Sequence, residues 1–444
     1  MLLSIIGTEI SALTFVGVPA LAYTGDWTYL QIVLGAIGGR LLVGLYFVPA
    51  FYRQNVVSIY EFLSQAYGPR TRNLAVLVFL VTRTLMSGVR LFAGALILQL
   101  ALGLSATTAV GLVALLGLVY TVAGGIRAVI WTEVLQVAVM LVGATAAVGY
   151  LLSGLPSDWA AALPPERLRV FNFSLDPRIE FTFWAGVLGT TLTNTAIFGT
   201  DYDMVQRMLT ARDSRRSRLA VVGSGVADVP IALVFLTIGS LLWAYYQLHP
   251  DPTLGTDARK VFPHFILTAL PPGLSGLLIA AVLSVVLSSY QSALTALAGS
   301  FVVDVYQPYL ARGRSEAHYL RATRLSSVGF CAALAGVAVA SQNVERLLPL
   351  GLEIGTYFYG ALLAVFAYAL AFRRRPPDRL AVFSLPLSIA AVVGLKLNTE
   401  LAFPWFVSVG ALTGVFYLFL SARCCEEAAS GSAEPRLEAA PAEP

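Results

Sequence analysis

Charge is what this chain has least of. Asp, Glu, Lys and Arg together make up 12% of its 444 residues, against about a quarter in a soluble domain. So few charges cannot coat a water-facing surface of this size, which excludes a soluble enzyme and a charge-rich disordered regulator. Cysteine is scarce as well. Cys331, Cys424 and Cys425 form no disulfide framework and no metal-ligand spacing. The three histidines, His249, His264 and His318, are too scattered to suggest a His-ligated metal. What fills the chain instead is apolar: 57% of its residues are hydrophobic, and most of its surface must face lipid.

A membrane-crossing helix needs about 20 mostly apolar residues. Twelve stretches qualify: 1–23, 27–50, 73–103, 105–124, 126–153, 180–210, 215–246, 275–306, 318–342, 345–372, 379–396 and 402–422. None holds a nucleophile–base pair or a metal motif, so a membrane enzyme is not expected. The first stretch lacks a basic leader and reads as structure, not as a cleavable signal. Residues 154–179 and 247–274 are long loops, the second with a short amphipathic helix in DARKVFPHFILTAL. The tail 423–444 is low in complexity and reads as disordered, with Cys424 and Cys425 as chance thiols at the membrane edge.

With the N-terminus in the cytoplasm, 19 of the 29 basic residues fall on the cytoplasmic side, seven on the other, and Arg40, Arg83 and Arg90 within spans. This positive-inside bias predicts two cytoplasmic termini and an external 154–179 loop.

Two spans are interrupted. Gly7-Thr8-Glu9-Ile10-Ser11, then Gly17 and Pro19, interrupt the first, and Gly189-Thr190-Thr191, Thr193-Asn194-Thr195 and Gly199-Thr200-Asp201 interrupt the sixth. Polar and glycine clusters at lipid depth are costly unless they line a protein cavity. Each interrupted span opens a set of five, 1–5 and 6–10. Broken helices in corresponding places of two halves point to an inverted-repeat transporter with its site at mid-membrane. The eighth span adds Ser284, Ser288, Ser292 and Thr295 on one helix face, with Ser289 beside them. Such hydroxyls suit back-bonding to their own helix, or they suit a hard cation that wants oxygen ligands.

Four stretches carry a family resemblance: GTEISALTFVGVPALAY (7–23), YTVAGGIRAVIWTEVLQ (120–136), GTDYDMVQRMLTARD (199–213) and AAVLSVVLSSYQSALTALAGSFVVDVY (280–306). From Met1 to about Phe372 the chain resembles the sodium:solute symporter family, relatives of the sodium/glucose and sodium/proline cotransporters. The resemblance implies an all-α integral membrane protein with the LeuT-type 5+5 inverted repeat and about 12 membrane helices. The first repeat would be 1–153 and the second 180–372, with 373–422 two added helices. Family members normally carry a helix ahead of this first span, so Met1 comes late.

By position, the resemblance implies a sodium ion held by carbonyls of Gly7, Ile10 and Val285 and by hydroxyls of Ser288 and Ser289. A second sodium found in some members would use Ser288, Gln291, Ser292 and Glu133. The usual Asp is Glu133 here and Gln291 often is Ser, so a weak or absent second site is expected. The central solute positions read Glu9, Thr14, Val33, Asn194 and Asp228, of which only Asn194 matches the sugar-transporting set. Val33 stands for a Glu and Asp228 for a Lys, so glucose and galactose are not expected substrates. The aromatic inner gate falls on Ile197 and Phe198.

Arg83 and Arg90 lie seven apart on one helix face. An intramembrane Arg must find a partner. Glu9 and Asp228 are candidates, and Arg90 could instead meet an anionic group on the solute. Arg40 reads as packed or snorkelling near the inner face. The expected function is sodium-coupled import of a small polar organic solute across the cell membrane by a monomer, with no nucleic-acid partner. The rival is a transport-like membrane sensor or a non-transporting shortened relative.

Overall fold

The computed structural model describes residues 2–54, 58–159 and 163–431, leaving aside the side chains of 3–4, 8–9, 12, 54, 123–134 and 426–431. Among the described residues every regular element is helical. In chain order these are α1 (Leu2–Glu9), α2 (Ala12–Thr24), α3 (Tyr29–Leu42, running on to Gln54), α4 (Ile59–Ala66), α5 (Pro69–Leu102) and α6 (Ala106–Ser153). Next come α7 (Thr191–Thr200, led in by a wide turn over Ala185–Thr190), α8 (Tyr202–Leu209), α9 (Ser214–Leu248) and α10 (Val261–Thr268). The chain closes with α11 (Pro272–Ser300, running on to Leu310), α12 (Glu316–Ala340), α13 (Leu347–Ala371), α14 (Ser384–Asn398) and α15 (Phe406–Gly431).

Nine stretches among the described residues are long and apolar enough to cross a membrane, and Leu13–Thr24 and Ala106–Val122 are shorter apolar helices. These eleven stretches match eleven of the expected twelve, and the sixth, 180–210, is the one without a counterpart among the described residues. The expected segments 105–124 and 126–153 join in one helical stretch, α6. That stretch is not straight. Gly117 packs under the Tyr290 ring and Gly143 against Leu278. At 1.5 Å per residue, the 26 residues between the glycines would rise ~39 Å, but the 12 between their partners on α11 rise only ~18 Å.

Local chemistry sets several helix starts. Ser58, Ser105, Asp213 and Ser315 accept backbone N–H groups at the N-termini of α4, α6, α9 and α12. Pro69 opens α5 where no N–H is needed. The first-turn donors of α5, Arg70 N and Thr71 N, are satisfied by the Asp378 carboxylate at 2.9 Å each, across 307 residues or more. Such long-range caps are invisible in sequence. So was α4, which lies in what read as a plain connection.

The helices that frame the centre approach closely through small residues. Gly35 of α3 faces the carbonyl of Gly186, and Gly39 faces Asn194 and Thr195 of α7. A side chain at either glycine would meet backbone, so the GAIGGR stretch must remain small. The Thr191 hydroxyl donates to Gly35 O at 2.9 Å and locks the crossing. Two apolar clusters complete the packing. One joins α2, α6, α9, α10 and α11, and the other joins the end of α3 with α4, α8, α13 and α15. A cavity lies between them.

Candidate functional site

Of the interruptions read from the sequence, 7–11 and 199–201 are breaks in the helices, whereas Thr193-Asn194-Thr195 lies within α7. α1 ends at Glu9, Ser11 is extended at φ −132°, ψ 173°, and α2 begins at Ala12. The Thr14 N–H turns to Ser11 O at 2.9 Å, which takes away the helical donor of the Ile10 carbonyl. The second break is at Asp201, where φ −82°, ψ 128° ends α7. The Asp201 carboxylate then caps α8 by accepting the Asp203 N–H at 2.9 Å.

Helix α1 packs against α11, the helix that bears Val285, Ser288 and Ser289. All three are buried. The Ser289 hydroxyl donates back to Val286 O at 3.1 Å, which leaves its lone pairs to accept or to ligate. Ser288 has no hydrogen-bond partner among the described residues although it is only 1% exposed. A hydroxyl buried without a partner costs about 1–3 kcal/mol, so a ligand that engages it would recover that cost. Two hydroxyls, and a helix-end carbonyl that has lost its helical donor, are neutral oxygen donors of the kind a hard cation takes.

Of the expected second cation set, Ser292 is engaged elsewhere. The Ser292 hydroxyl donates to Asp203 Oδ2 at 2.5 Å and accepts from Arg207 Nη2 at 2.8 Å. Gln291 is buried, with its Oε1 unpartnered among the described residues. The side chains of Glu133 and Glu9 lie outside the described residues.

The central cavity has a volume of about 170 Å³. Ile10, Ser11, Thr14, Val33, Arg90, Asn194 and Asp228 line it, as do Thr193, Ile197, Thr356 and Tyr359. Expected cavity residues Thr14, Arg90, Asn194 and Asp228 therefore share one space. Phe198 does not. It is fully buried behind the wall, with the Arg40 guanidinium 4.5 Å above its ring, and its neighbour Ile197 takes the cavity position.

Arg40 takes the packed alternative: it is fully buried and donates from Nη2 to Asp228 Oδ2 at 2.5 Å. Asp228 is thus the partner of Arg40 and not of Arg83. Arg83 meets Asp203 in a short ion pair and Asp201 at 3.5 Å. Tyr359 OH donates to Asp201 at 2.8 Å, and Arg207 reaches Asp203 at 3.3 Å. Asp201, Asp203 and Tyr359 thus close one end of the cavity with a buried charged network that the sequence reading missed. Their signal was present in GTDYD, two carboxylates in an apolar stretch that also has to satisfy arginines.

The other end closes by shape. Leu348 seats on Gly17 and Leu13 seats on Gly351, a reciprocal pairing of α2 with α13. Leu13 and Leu348 line both the central cavity and a second pocket of about 100 Å³ beyond them, rimmed by Arg259, Glu345 and Arg346.

Comparison with known proteins decides the family. The model of the sodium:solute symporter family matches residues 1–376. The chain belongs to the sodium:solute symporter family. Within this symporter family it is 26% identical to the sodium/sialic acid symporter SiaT of Proteus mirabilis (strain HI4320), over 93% of this chain and 84% of that protein. It is 31% identical to the human sodium/iodide cotransporter, over 69% of this chain but only 49% of that protein. Identity to the human sodium-coupled monocarboxylate transporter 1 is 28%, over 92% and 66%. Among solved structures, a substrate-bound outward-open Na+-coupled sialic acid symporter superposes with a TM-score of 0.83 at 24% identity, covering 95% of this chain and 89% of that one. Mhp1, a nucleobase-cation-symport-1 family transporter, superposes at 0.65 with 13% identity, over 97% and 92%. These likenesses establish the fold of a multi-pass helical membrane transporter.

Proposed function

We propose that this symporter imports a small organic monoanion with sodium by alternating access. The observation that carries the reading is the break at Ile10–Ser11, at the end of a helix that packs on α11 with its buried, unpartnered Ser288 hydroxyl. Sodium would be held by carbonyls of Gly7, Ile10 and Val285 and by hydroxyls of Ser288 and Ser289. It would tie α1 to α11 and so complete the solute cavity between them. Residues 1–153 and 180–372 would be the two inverted repeats, and both termini would face the cytoplasm of the cell membrane.

The cavity size bears on the solute. A 150 Å³ apolar cavity holds a benzene, so about 170 Å³ suits a solute of roughly that size. Arg90 on the cavity wall offers a fork of donors suited to a carboxylate. Asn194, Thr14 and Thr193 supply neutral polar contacts.

One sodium moved inward at ~100 mV contributes ~2.3 kcal/mol, and a tenfold sodium gradient adds ~1.4 kcal/mol. Together they support roughly 500-fold accumulation. The test is uptake of short monocarboxylates into vesicles containing the purified full chain. Uptake that needs sodium and saturates supports the reading. Uptake unchanged when potassium replaces sodium overturns it.

A further inference from the structure

Residues 170–176 lie at the end of the molecule that Leu13 and Leu348 close, since Glu180 just beyond them pairs with Arg346 on the rim of the second pocket. They invert the usual pattern of a protein surface. Phe171, Phe173 and Leu175 alternate with Asn172, Ser174 and Asp176, and it is the apolar set that faces out, Phe173 at 61% and Leu175 at 80% exposure. The polar set is half-buried and bonded. The Asn172 N–H donates to Gln31 Oε1 at 3.0 Å, the Ser174 N–H to Asn172 Oδ1 at 3.1 Å and the Asp176 N–H to Ser174 Oγ at 3.2 Å. Both ends are pinned. Arg169 O accepts the Trp27 N–H at 3.1 Å, and Pro177 O accepts the Ala402 N–H at 3.0 Å. The outward side is therefore fixed, and its rings are ordered among themselves. Phe171 stacks on Phe173 with centroids 5.8 Å apart, Phe173 lies 5.1 Å from Phe183, and Phe183 lies 5.4 Å from Trp184.

An exposed apolar surface with a polar rim marks an interaction site, and its continuation says what covers it. From Trp184 the exposed surface runs on to Val187 and Leu188 in the lead-in to α7. That lead-in packs against α3, part of a membrane-crossing stretch, so the far end of the surface stands at lipid depth. We propose that the 170–176 stretch docks on the bilayer, with Phe171, Phe173 and Leu175 seated between the headgroups and the acyl chains. Aromatic rings and leucine are what this layer takes. No charge falls between Arg169 and Asp176. Arg169, paired with Asp26 at 2.7 Å, and Arg178, paired with Asp176 at 2.9 Å, flank the stretch and are each more than half exposed, as cationic side chains at headgroup level are. The inward N–H groups find partners within the protein, as backbone beside lipid requires. Because the buried Gln31 joins the stretch to α3, its insertion also sets the depth of α3.

The experiment attaches a nitroxide at Phe173→Cys, at Leu175→Cys and, as the aqueous reference, at Ser157→Cys, an exposed position. The protein is the full chain with its three native cysteines replaced, in vesicles of phosphatidylcholine and phosphatidylglycerol. Oxygen concentrates among acyl chains and a nickel chelate stays in water, so their collision rates with the label report its depth. Labels at 173 and 175 should collide more with oxygen and far less with the chelate than the label at 157. Leu175 is so exposed that replacing it leaves the fold intact, and it carries the test if Phe173→Cys does not fold. Chelate access at 173 and 175 equal to that at 157 overturns the inference. Access of neither reagent overturns it as well, because a protein surface then covers the patch, and dipolar broadening between labels would identify that surface as a second copy.

Discussion

Replacing Ser288 by alanine should raise stability without sodium and shrink the gain that sodium brings. The hydroxyl is 1% exposed and unpartnered among the described residues. Without sodium, its removal relieves a buried unsatisfied group and stabilises the fold by about 1–3 kcal/mol. With sodium, the same change deletes a ligand of a charged species, about 1.5–3 kcal/mol, or about 10- to 150-fold in affinity. Take sodium at about 100 times the wild-type Kd. The wild type then gains about 2.7 kcal/mol from binding. A variant about 30-fold weaker, with sodium at only about three times its Kd, gains about 0.9 kcal/mol. The assay is the thermal unfolding midpoint of the purified full chain in potassium and in sodium at equal ionic strength. Ser288→Ala should match or exceed wild type in potassium, and its sodium-induced gain should fall to about a third. Ser289→Ala should lose sodium response without gaining stability in potassium, because the Ser289 hydroxyl already has a partner in Val286 O. A Ser288→Ala protein with the full wild-type sodium response would refute the reasoning.

Asp203→Asn removes the carboxylate shared by Arg83, Arg207 and Ser292, and should cost about 3–5 kcal/mol. Ser292→Ala should cost only about 1 kcal/mol, and equal losses in unfolding assays would show that the charges do not dominate this cluster. Gly17→Ala adds a carbon 2.6 Å from Leu348 Cβ. It should keep sodium binding but hold α2 and α13 apart, read as accessibility of a cysteine at Thr14 together with lost uptake. A cysteine placed at the exposed Ser157, in a background without the three native cysteines, should label from outside intact cells. Labelling only after permeabilisation reverses the proposed topology. D-glucose should not compete for the site, and sodium-dependent glucose binding at micromolar affinity would contradict the reading of Val33 and Asp228.

The sequence was most informative where physics is local. Apolar runs marked the spans, and the glycine and polar clusters at 7–11 and 199–201 marked both breaks, because unpaired backbone at lipid depth survives only where protein surrounds it. The placing of Thr14, Arg90, Asn194 and Asp228 around one cavity also followed from the chain, through the family resemblance. Pairings between distant residues did not. Arg40 and Asp228 are 188 residues apart, and nothing local says that Gly225 opens the space for that arginine. The partners of Arg83 are not legible locally either: Asp201 stands in the cluster that marks a helix break, Asp203 follows it in GTDYD, and they lie 118 and 120 residues from the arginine. Phe198 was placed in the cavity, and one residue of helical rotation put Ile197 there instead. The bend of α6 depends on the packing of Gly117 and Gly143, which periodicity cannot reveal.

The two closures of the central cavity differ in kind, and that difference has an energetic consequence. Leucine on glycine separates without breaking a hydrogen bond. Its opening exposes only a little apolar surface and is nearly indifferent to dissolved salt. At the opposite end Arg83, Arg207, Asp201 and Asp203 hold one another in buried pairs. Parting them would exchange each partner for water, so the cost of opening there is one of hydration, while the end closed by leucine on glycine would part at a lower cost.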